Sequence, residues 1–280
     1  VYSGATQGWI PIDDGAVVDV PGSPFIPLQQ AVFAYGEASG TVSLKNLVNS
    51  SGVVAADVAG VGTPRYNPGA AGYGNDKAIF AFGANAGYSD INLSNLVNSS
   101  GVIAADVTGV GTARESPSAG TYGYDKAVMA YGANPGVVSL KNLVSNSGVV
   151  AADVTGVGTG RRYSAAAKYS DDKVIFGFGT TGSVVGVTNL CNNVGVIAAD
   201  VSAVGTAREA LGAAPYGTDK AIFAYGTAGG GVNTRNLVSN VGVVASDASG
   251  AGTARHYIKG ATFGGDKAIF AYGYTDANVN

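Results

Sequence analysis

An Asp-Lys pair recurs at Asp76-Lys77, Asp125-Lys126, Asp172-Lys173, Asp219-Lys220 and Asp266-Lys267, with successive spacings of 49, 47, 47 and 47 residues. Around it runs one repeated phrase: D-K-A-I-F-A-Y-G, then N-L-V, then G-V-V-A-A-D-V-x-G-V-G-T-x-R. This regularity constrains the fold more than any other feature of the chain. A repeat of this length is one supersecondary module that buries its apolar faces against its neighbours. The 280 residues come close to six periods, so a single body over 1–280 is expected.

Each unit reads as a set of short strands. Lys77 to Gly83, K-A-I-F-A-F-G, is rich in β-formers and closed by glycine, as are the segments ending at Gly36, Gly132, Gly179, Gly226 and Gly273. Further strands are predicted over 95–97 and 102–107, before a Gly-Val-Gly-Thr turn. An innermost strand fits between Arg114 and Asp125, where Ala119, Gly120 and Thr121 suit the crowded centre of converging sheets. No segment joins caps to a 3.6-residue apolar period, and 44 glycines disfavour helix. Four strands per unit predict an all-β fold, a β-propeller with four-stranded blades; the rival β-solenoid usually has much shorter coils.

The A-I-F-A-Y-G strand occurs six times, yet complete third and fourth strands occur five times. Gly15 to Val20, G-A-V-V-D-V, echoes G-V-V-A-A-D-V. Residues 1–23 are therefore expected to close a six-bladed ring by completing the C-terminal blade, with repeats over 24–273 and a tail at 274–280. Closure hides strand edges that would otherwise template aggregation. Five blades, with residues 1–30 packed outside the ring, is the alternative.

An Arg, an inner strand, then K-A-I-F-A-Y-G and two outer strands resembles the kelch repeat over residues 24 to 273, although the family's Gly doublet is a single Gly at Gly83 or Gly132 and its Trp is missing from every repeat. The wording Asp-Lys-Ala-Ile-Phe and Gly-Val-Gly-Thr-Ala-Arg, with Y-S-G-A-T-Q-G-W-I-P at the N-terminus, is similar to divergent kelch-like arrays in tail and virion proteins of bacteriophages, particularly marine ones. That resemblance implies a virion or extracellular location and other virion proteins as neighbours. Copper chemistry of the kind some kelch-fold oxidases perform needs two His ligands, and this chain has one His.

The composition narrows the partners. A net charge of −3 without a basic run offers little to nucleic acid. No stretch approaches the roughly 18 apolar residues of a membrane-spanning helix, so no membrane insertion is expected, and no basic-then-apolar leader is visible. One cysteine excludes an intrachain disulfide and a Cys-rich metal site. Gly-Val-Gly-Thr lacks the Lys-Ser/Thr of a phosphate loop. No cofactor, no metal and no catalytic residue is expected.

Comparing the units locates the candidate site. Arg65 to Asp76 spans 11 residues in every copy, and Gly52 to Arg65 spans 13. Length varies only between the Gly ending the second strand and the Asn of the third, as in Glu37 to Lys45, Ala84 to Ser94 and Thr227 to Arg235. The residues just after each Arg vary too: Tyr66-Asn67, Glu115-Ser116, Arg162-Tyr163, Glu209-Ala210 and His256-Tyr257. Strands alternate direction, so both variable regions fall on one face, and binding residues favour loops held by a rigid frame. The ligand-binding face is predicted to comprise Glu37, Tyr66, Asn67, Tyr88, Asp90, Glu115, Arg162, Tyr163, Glu209, Arg235, His256 and Tyr257. Its tyrosines suit sugar stacking, which points to a cell-surface glycan or protein receptor. Two alternatives remain: a purely structural virion component, and a glycan-active enzyme using carboxylates such as Glu115 and Glu209.

Other residues read as structure. His256 has no recurrent partner and is expected to face solvent; Cys191 occupies the slot of Val48, Val97, Val144 and Val238. Asp57, Asp106, Asp153, Asp200 and Asp247, each eight residues before an Arg, are expected to brace turns or to pair with the Arg of their own or the next blade.

Overall fold

The computed structural model describes residues 30–202 and 204–275, and no helix occurs among them. The first sheet holds β1 (Ala31–Glu37) and β2 (Thr41–Val48). The second holds β3 (Gly69–Tyr73), β4 (Lys77–Ala81) and β5 (Ser94–Val97). The third holds β6 (Ser118–Tyr122), β7 (Lys126–Ala130), β8 (Leu140–Val144) and β9 (Val154–Thr155). The fourth holds β10 (Ala165–Tyr169), β11 (Lys173–Gly177) and β12 (Thr188–Cys191). The fifth holds β13 (Gly212–Tyr216), β14 (Lys220–Ala224), β15 (Thr234–Val238) and β16 (Ala248–Ser249), and the sixth holds β17 (Lys259–Phe263) and β18 (Lys267–Ala271). All pairings are antiparallel between chain neighbours, and β3, β6, β10, β13 and β17 lie side by side in that order. The arrangement is consistent with a propeller.

The outermost strand differs from the sequence expectation. Only β9 and β16 reach strand length; elsewhere it shrinks to isolated bridges such as Val97 with Ile103 and Ser94 with Val107. In the first five sheets, those with β9 and β16 included, an Asn side chain interrupts the ladder. Asn95 Nδ2 donates to the Ala104 carbonyl at 3.0 Å and to Asp106 Oδ1 at 2.9 Å, filling the gap that regular pairing would occupy.

The aromatic-Gly ending of each second strand has a backbone cause. Tyr35, Phe82, Tyr131, Phe178, Tyr225 and Tyr272 all have φ between 61° and 66°, and each is followed by a glycine at 105° to 120°. A Cβ on Gly132 would lie 2.6 Å from the Glu115 carbonyl oxygen, so only glycine fits. The turn tips the aromatic onto the next sheet. Ring centroids meet at 5.3 Å for Tyr35 with Phe80, 5.4 Å for Tyr131 with Phe176, 5.3 Å for Phe178 with Phe223 and 5.9 Å for Tyr225 with Phe270. The equivalent pair from the last sheet is Tyr272 with Phe33 of the first, at 5.4 Å. Close approach of the sheets explains the small inner strands: a Cβ on Gly120 would sit 2.6 Å from Val174.

A buried arginine clips each of the second to fifth sheets to the one before it. Arg114, wholly buried, lies 3.9 Å from the Phe82 ring and donates from Nη2 to Asn142 Oδ1 at 2.6 Å. Asn142 Nδ2 donates to Asp153 Oδ1 at 2.8 Å, and Asp153 Oδ2 accepts from the Thr112 hydroxyl at 2.7 Å and amide at 2.8 Å. The set recurs as Arg65-Asn95-Asp106-Thr63, Arg161-Asn189-Asp200-Thr159 and Arg208-Asn236-Asp247-Thr206. The repeated Asp thus meets the Arg that opens its own sheet, not the Arg eight residues later. In the sixth sheet Arg255 stacks 4.7 Å from Tyr225, and its Nε, like that of Arg65, has no hydrogen-bond partner among the described residues. The segment 1–23 expected to complete that sheet lies outside the described residues, as do 276–280 of the tail.

These clips predict a pH response. Burial raises the carboxyls of Asp106, Asp153, Asp200 and Asp247, but hydrogen bonds from Thr and Asn and the nearby Arg outweigh it and hold all four below the usual carboxylate range. A depressed folded-state pKa stabilises above the unfolded value, about 3.9 for Asp, and that contribution is lost as pH falls through the folded one. Asp90, raised by burial and by Glu115, pulls the other way but is a single group. The melting temperature should hold from pH 7 to about 5 and drop below about pH 4. Asp153→Asn should make the acid limb shallower in a melting series over pH; an unchanged limb would remove the clips as its cause.

Candidate functional site

The variable residues do share one end of the sheets. Each residue after an Arg pairs with the first residue of the following variable loop: Tyr66 with Ala84, Glu115 with Ala133, Arg162 with Thr180, Glu209 with Thr227 and His256 with Tyr274. Ala84 in turn bridges Asp90, so loop and link form one ledge. The Asp-Lys turns lie at the opposite end beside the Asn- or Ser-x-x-Gly turns, as Asn146 of the Ser145–Gly148 turn, donating to Asp125 at 3.1 Å, shows. Each Lys folds onto its own Asp, from 2.8 Å at Lys267 to 3.6 Å at Lys126.

The next residue along turns inward. Asn67, Ser116, Tyr163, Ala210 and Tyr257 all hold φ between 52° and 55°, which is left-handed backbone without glycine. Amide-to-carbonyl bonds pass from sheet to sheet here: Ser116 to Asn67 at 3.0 Å, Ala210 to Tyr163 at 2.9 Å and Tyr257 to Ala210 at 2.8 Å. Between the third and fourth sheets the Glu115–Arg162 ion pair, at 2.9 Å, makes the link. These five residues border a cavity of about 30 Å³, deepened by Ser164, Leu211 and Lys259. Strain repeated at five equivalent positions marks the mouth as a place where the fold over-determines its backbone.

Side chains from different sheets meet there. The Tyr163 and Tyr257 rings cross edge to face at 5.5 Å over Ala210, whose methyl leaves room for both. Tyr66 and Tyr88 meet at 6.0 Å, with Tyr88 76% exposed. Arg162 lies 5.0 Å from the Tyr163 ring. Burial, then Glu115 and Tyr257, pushes the Tyr163 hydroxyl up to about 12. Tyr66 is raised by burial and then by Glu115 and Glu37, and Tyr257 by burial and then Glu209. The phenols are donors at neutral pH, in an electronegative setting.

Among the described residues, three buried polar atoms on this end have no hydrogen-bond partner: Ser116 Oγ, Glu209 Oε2 and His256 Nδ1. His256 departs from the expectation of a solvent-facing ring, because Tyr257 at 5.1 Å and Tyr274 at 5.3 Å wedge it between them. Arg235 also departs. It stands within β15, opposite Ala224 and Ala248, and the equivalent Lys45 and Lys141 reach away to Gly101 and Gly195. No contact joins Arg235 to the mouth among the described residues.

Two residues absent from the predicted set belong here. Ser116 sat in the variable dipeptides but lacked the charge or ring that drew attention. Lys259 is the one charged residue in the slot held elsewhere by Gly69, Ser118, Ala165 and Gly212, a signal legible in the aligned units. It is exposed and lines the cavity, and desolvation by the surrounding protein lowers its pKa. Cys191 stays with its slot: it is fully buried and burial raises the thiol to about 12, which leaves it unreactive. The described residues contain no group of three or more His, Cys, Asp or Glu that would hold a metal ion.

No family model matches the chain, and no curated protein matches it.

Proposed function

We propose that the chain is a six-bladed, kelch-like propeller that recognises a cell-surface receptor, glycan or protein, through its variable mouth, as part of a phage tail or virion. One observation carries the reading. Residues that repeat are spent on the Arg-Asn-Asp-Thr clips and aromatic turns, whereas the residues that differ gather at one end and leave Ser116 Oγ, Glu209 Oε2 and His256 Nδ1 without partners. Buried polar atoms are normally satisfied, and unsatisfied ones gathered beside a cavity suit a ligand. The Tyr272–Phe33 contact supports closure into six blades, with N-terminal residues completing the last.

The binding experiment uses fluorescently labelled protein on a panel of bacterial strains. Replacing Tyr66, Tyr88, Tyr163, Glu209 and Tyr257 with alanine together should cut cell binding at least about tenfold, as loss of aromatic anchors does at other interfaces. Undiminished binding by that folded variant would sink the reading. A second reading, a structural part that binds its own neighbours, draws on the outer rim. Val53, Val102, Val149, Val194, Val196, Val241 and Val243 are each more than half exposed there.

A further inference from the structure

From the second to the fifth sheet the inner strand opens on a small residue, Gly69, Ser118, Ala165 or Gly212; in the sixth it opens on Lys259. Lys259 is the only charged side chain that lines the mouth cavity, and it takes part in no ion pair among the described residues. The carboxylates of this end stand on the surrounding ledge instead. Glu115 is placed opposite Ala133 and Glu209 opposite Thr227, and Glu115 is neutralised by Arg162 at 2.9 Å. Neither lines the cavity. Desolvation lowers the Lys259 pKa and no carboxylate offsets it. A partly desolvated cation without a counterion is unfavourable, and a ligand that brings the counterion relieves it.

The other polar groups of the cavity are suited to donate. Ser116, 7% exposed, has an Oγ without a partner, and the nearby Tyr163 hydroxyl does not reach it in hydrogen-bonding geometry. Tyr163 and Tyr257 keep their protons at neutral pH because burial raises both. Ser116 and Lys259 belong to the third and the sixth sheet, yet both border this one cavity. One cation, free hydroxyls and no anionic acceptor are the complement of a small anion. The volume narrows the choice. One water needs about 10–15 Å³. At about 30 Å³ the cavity has room for the two oxygens of a carboxylate and not for the full oxygen set of a sulfate or phosphate. Beside it stand Tyr163 and Tyr257, edge to face at 5.5 Å, and farther out on the ledge Tyr66 meets the exposed Tyr88 at 6.0 Å. Aromatic rings with polar tips are surfaces on which a sugar ring packs.

We infer that the mouth binds the terminal residue of a carboxylated saccharide, its carboxylate entering the cavity between Lys259 and Ser116 while its ring rests on Tyr163 and Tyr257. The inference rests on the recognition reading above and narrows its ligand to one class.

The test is an oligosaccharide array read with the full chain, carrying uronic and sialylated sugars, their methyl esters, neutral sugars, and sulfated and phosphorylated sugars. The strain-panel assay runs in parallel. Carboxylated probes should bind at least about tenfold more tightly than their esters, the scale of one charge-assisted hydrogen bond. Lys259→Met, which keeps the length of the side chain and removes its charge, should erase that difference, and Ser116→Ala should weaken binding of the acids about fivefold. Arg235→Ala, which lies outside the mouth, should bind as the parent does. Esters or neutral sugars that bind as well as the acids overturn the inference and leave the recognition reading standing. So does a preference for sulfated or phosphorylated probes, or a folded Lys259→Met that still prefers acid to ester. Silence on the array with cell binding that the alanine variant abolishes overturns it too, and points to a protein receptor. Silence in both assays removes the inference and the reading together. Melting curves establish that each variant is folded; should Lys259→Met melt early, the comparison of acid with ester on the parent chain decides.

Discussion

Replacing Asn142 with alanine should be among the most damaging single changes in the protein, costing about 3 kcal/mol, the upper range for leaving buried hydrogen-bonding groups, one of them charged, without a partner. Arg114 is wholly buried, and its Nη2 rests on Asn142 Oδ1 at 2.6 Å. Burial pulls the guanidinium down to about 10, so it stays charged at neutral pH and cannot escape the cost by losing its proton. The same substitution frees the Ala151 carbonyl and Asp153, each held by Asn142 Nδ2. A melting temperature lower by roughly 10 °C should follow for a chain of this size. Asn98→Ala is the comparison. Asn98 caps an exposed turn by accepting from the amides of Ser100 and Val102, and its loss should cost about 1 kcal/mol. Equal losses from the two would mean that the clip does not hold the sheets together.

The second large effect concerns closure. Phe33→Ala should destabilise the chain by about 3 kcal/mol, as much as Phe223→Ala, because a core Phe-to-Ala change removes apolar burial and leaves a cavity. Phe33 is 7% exposed although it belongs to the first described sheet, and its partner Tyr272 belongs to the last. In an open array the terminal units would be the weakest part, and losing a contact between them would barely change unfolding of the middle. In a closed ring every junction is interior. Denaturant titrations of both variants decide: a Phe33→Ala midpoint close to the parent, beside a large drop for Phe223→Ala, would reject the closed ring.

Much of the fold was legible because the units comment on one another. The glycine after each aromatic, the small inner strand and the spacings of 11 and 13 all correspond to elements the structure contains. The outer strand was less legible. G-V-V-A-A-D-V reads as a strand by composition, yet the Asn side chain of the neighbouring strand enters its ladder and leaves bridges or a two-residue strand. The sequence leaves the partner of each Asp open between the Arg of its own unit and that of the next, and folding chose the first.

The candidate site was legible as a face but not as a set of contacts. Eleven of the twelve predicted residues lie on the ledge or its loops, because pairing of the residue after each Arg with the following loop is a consequence of strand alternation. Arg235 stands apart from the mouth because the loop was read two residues too far, into β15. Crossing of Tyr163 over Ala210 to Tyr257 could not be read, for it joins sheets that are not sequence neighbours.

By itself the sequence determined that this protein is a repeating all-β array, which residues are scaffold and which end varies, since a pattern copied five times exposes its own constants. Only the tertiary structure decided which of the variable side chains meet, and it left Ser116, Glu209 and His256 with unpartnered atoms. The physical reason is that strand periodicity is local, written every second residue along the chain, whereas the mouth is made where separate sheets converge, and convergence depends on packing distances of a few ångströms that no single unit contains.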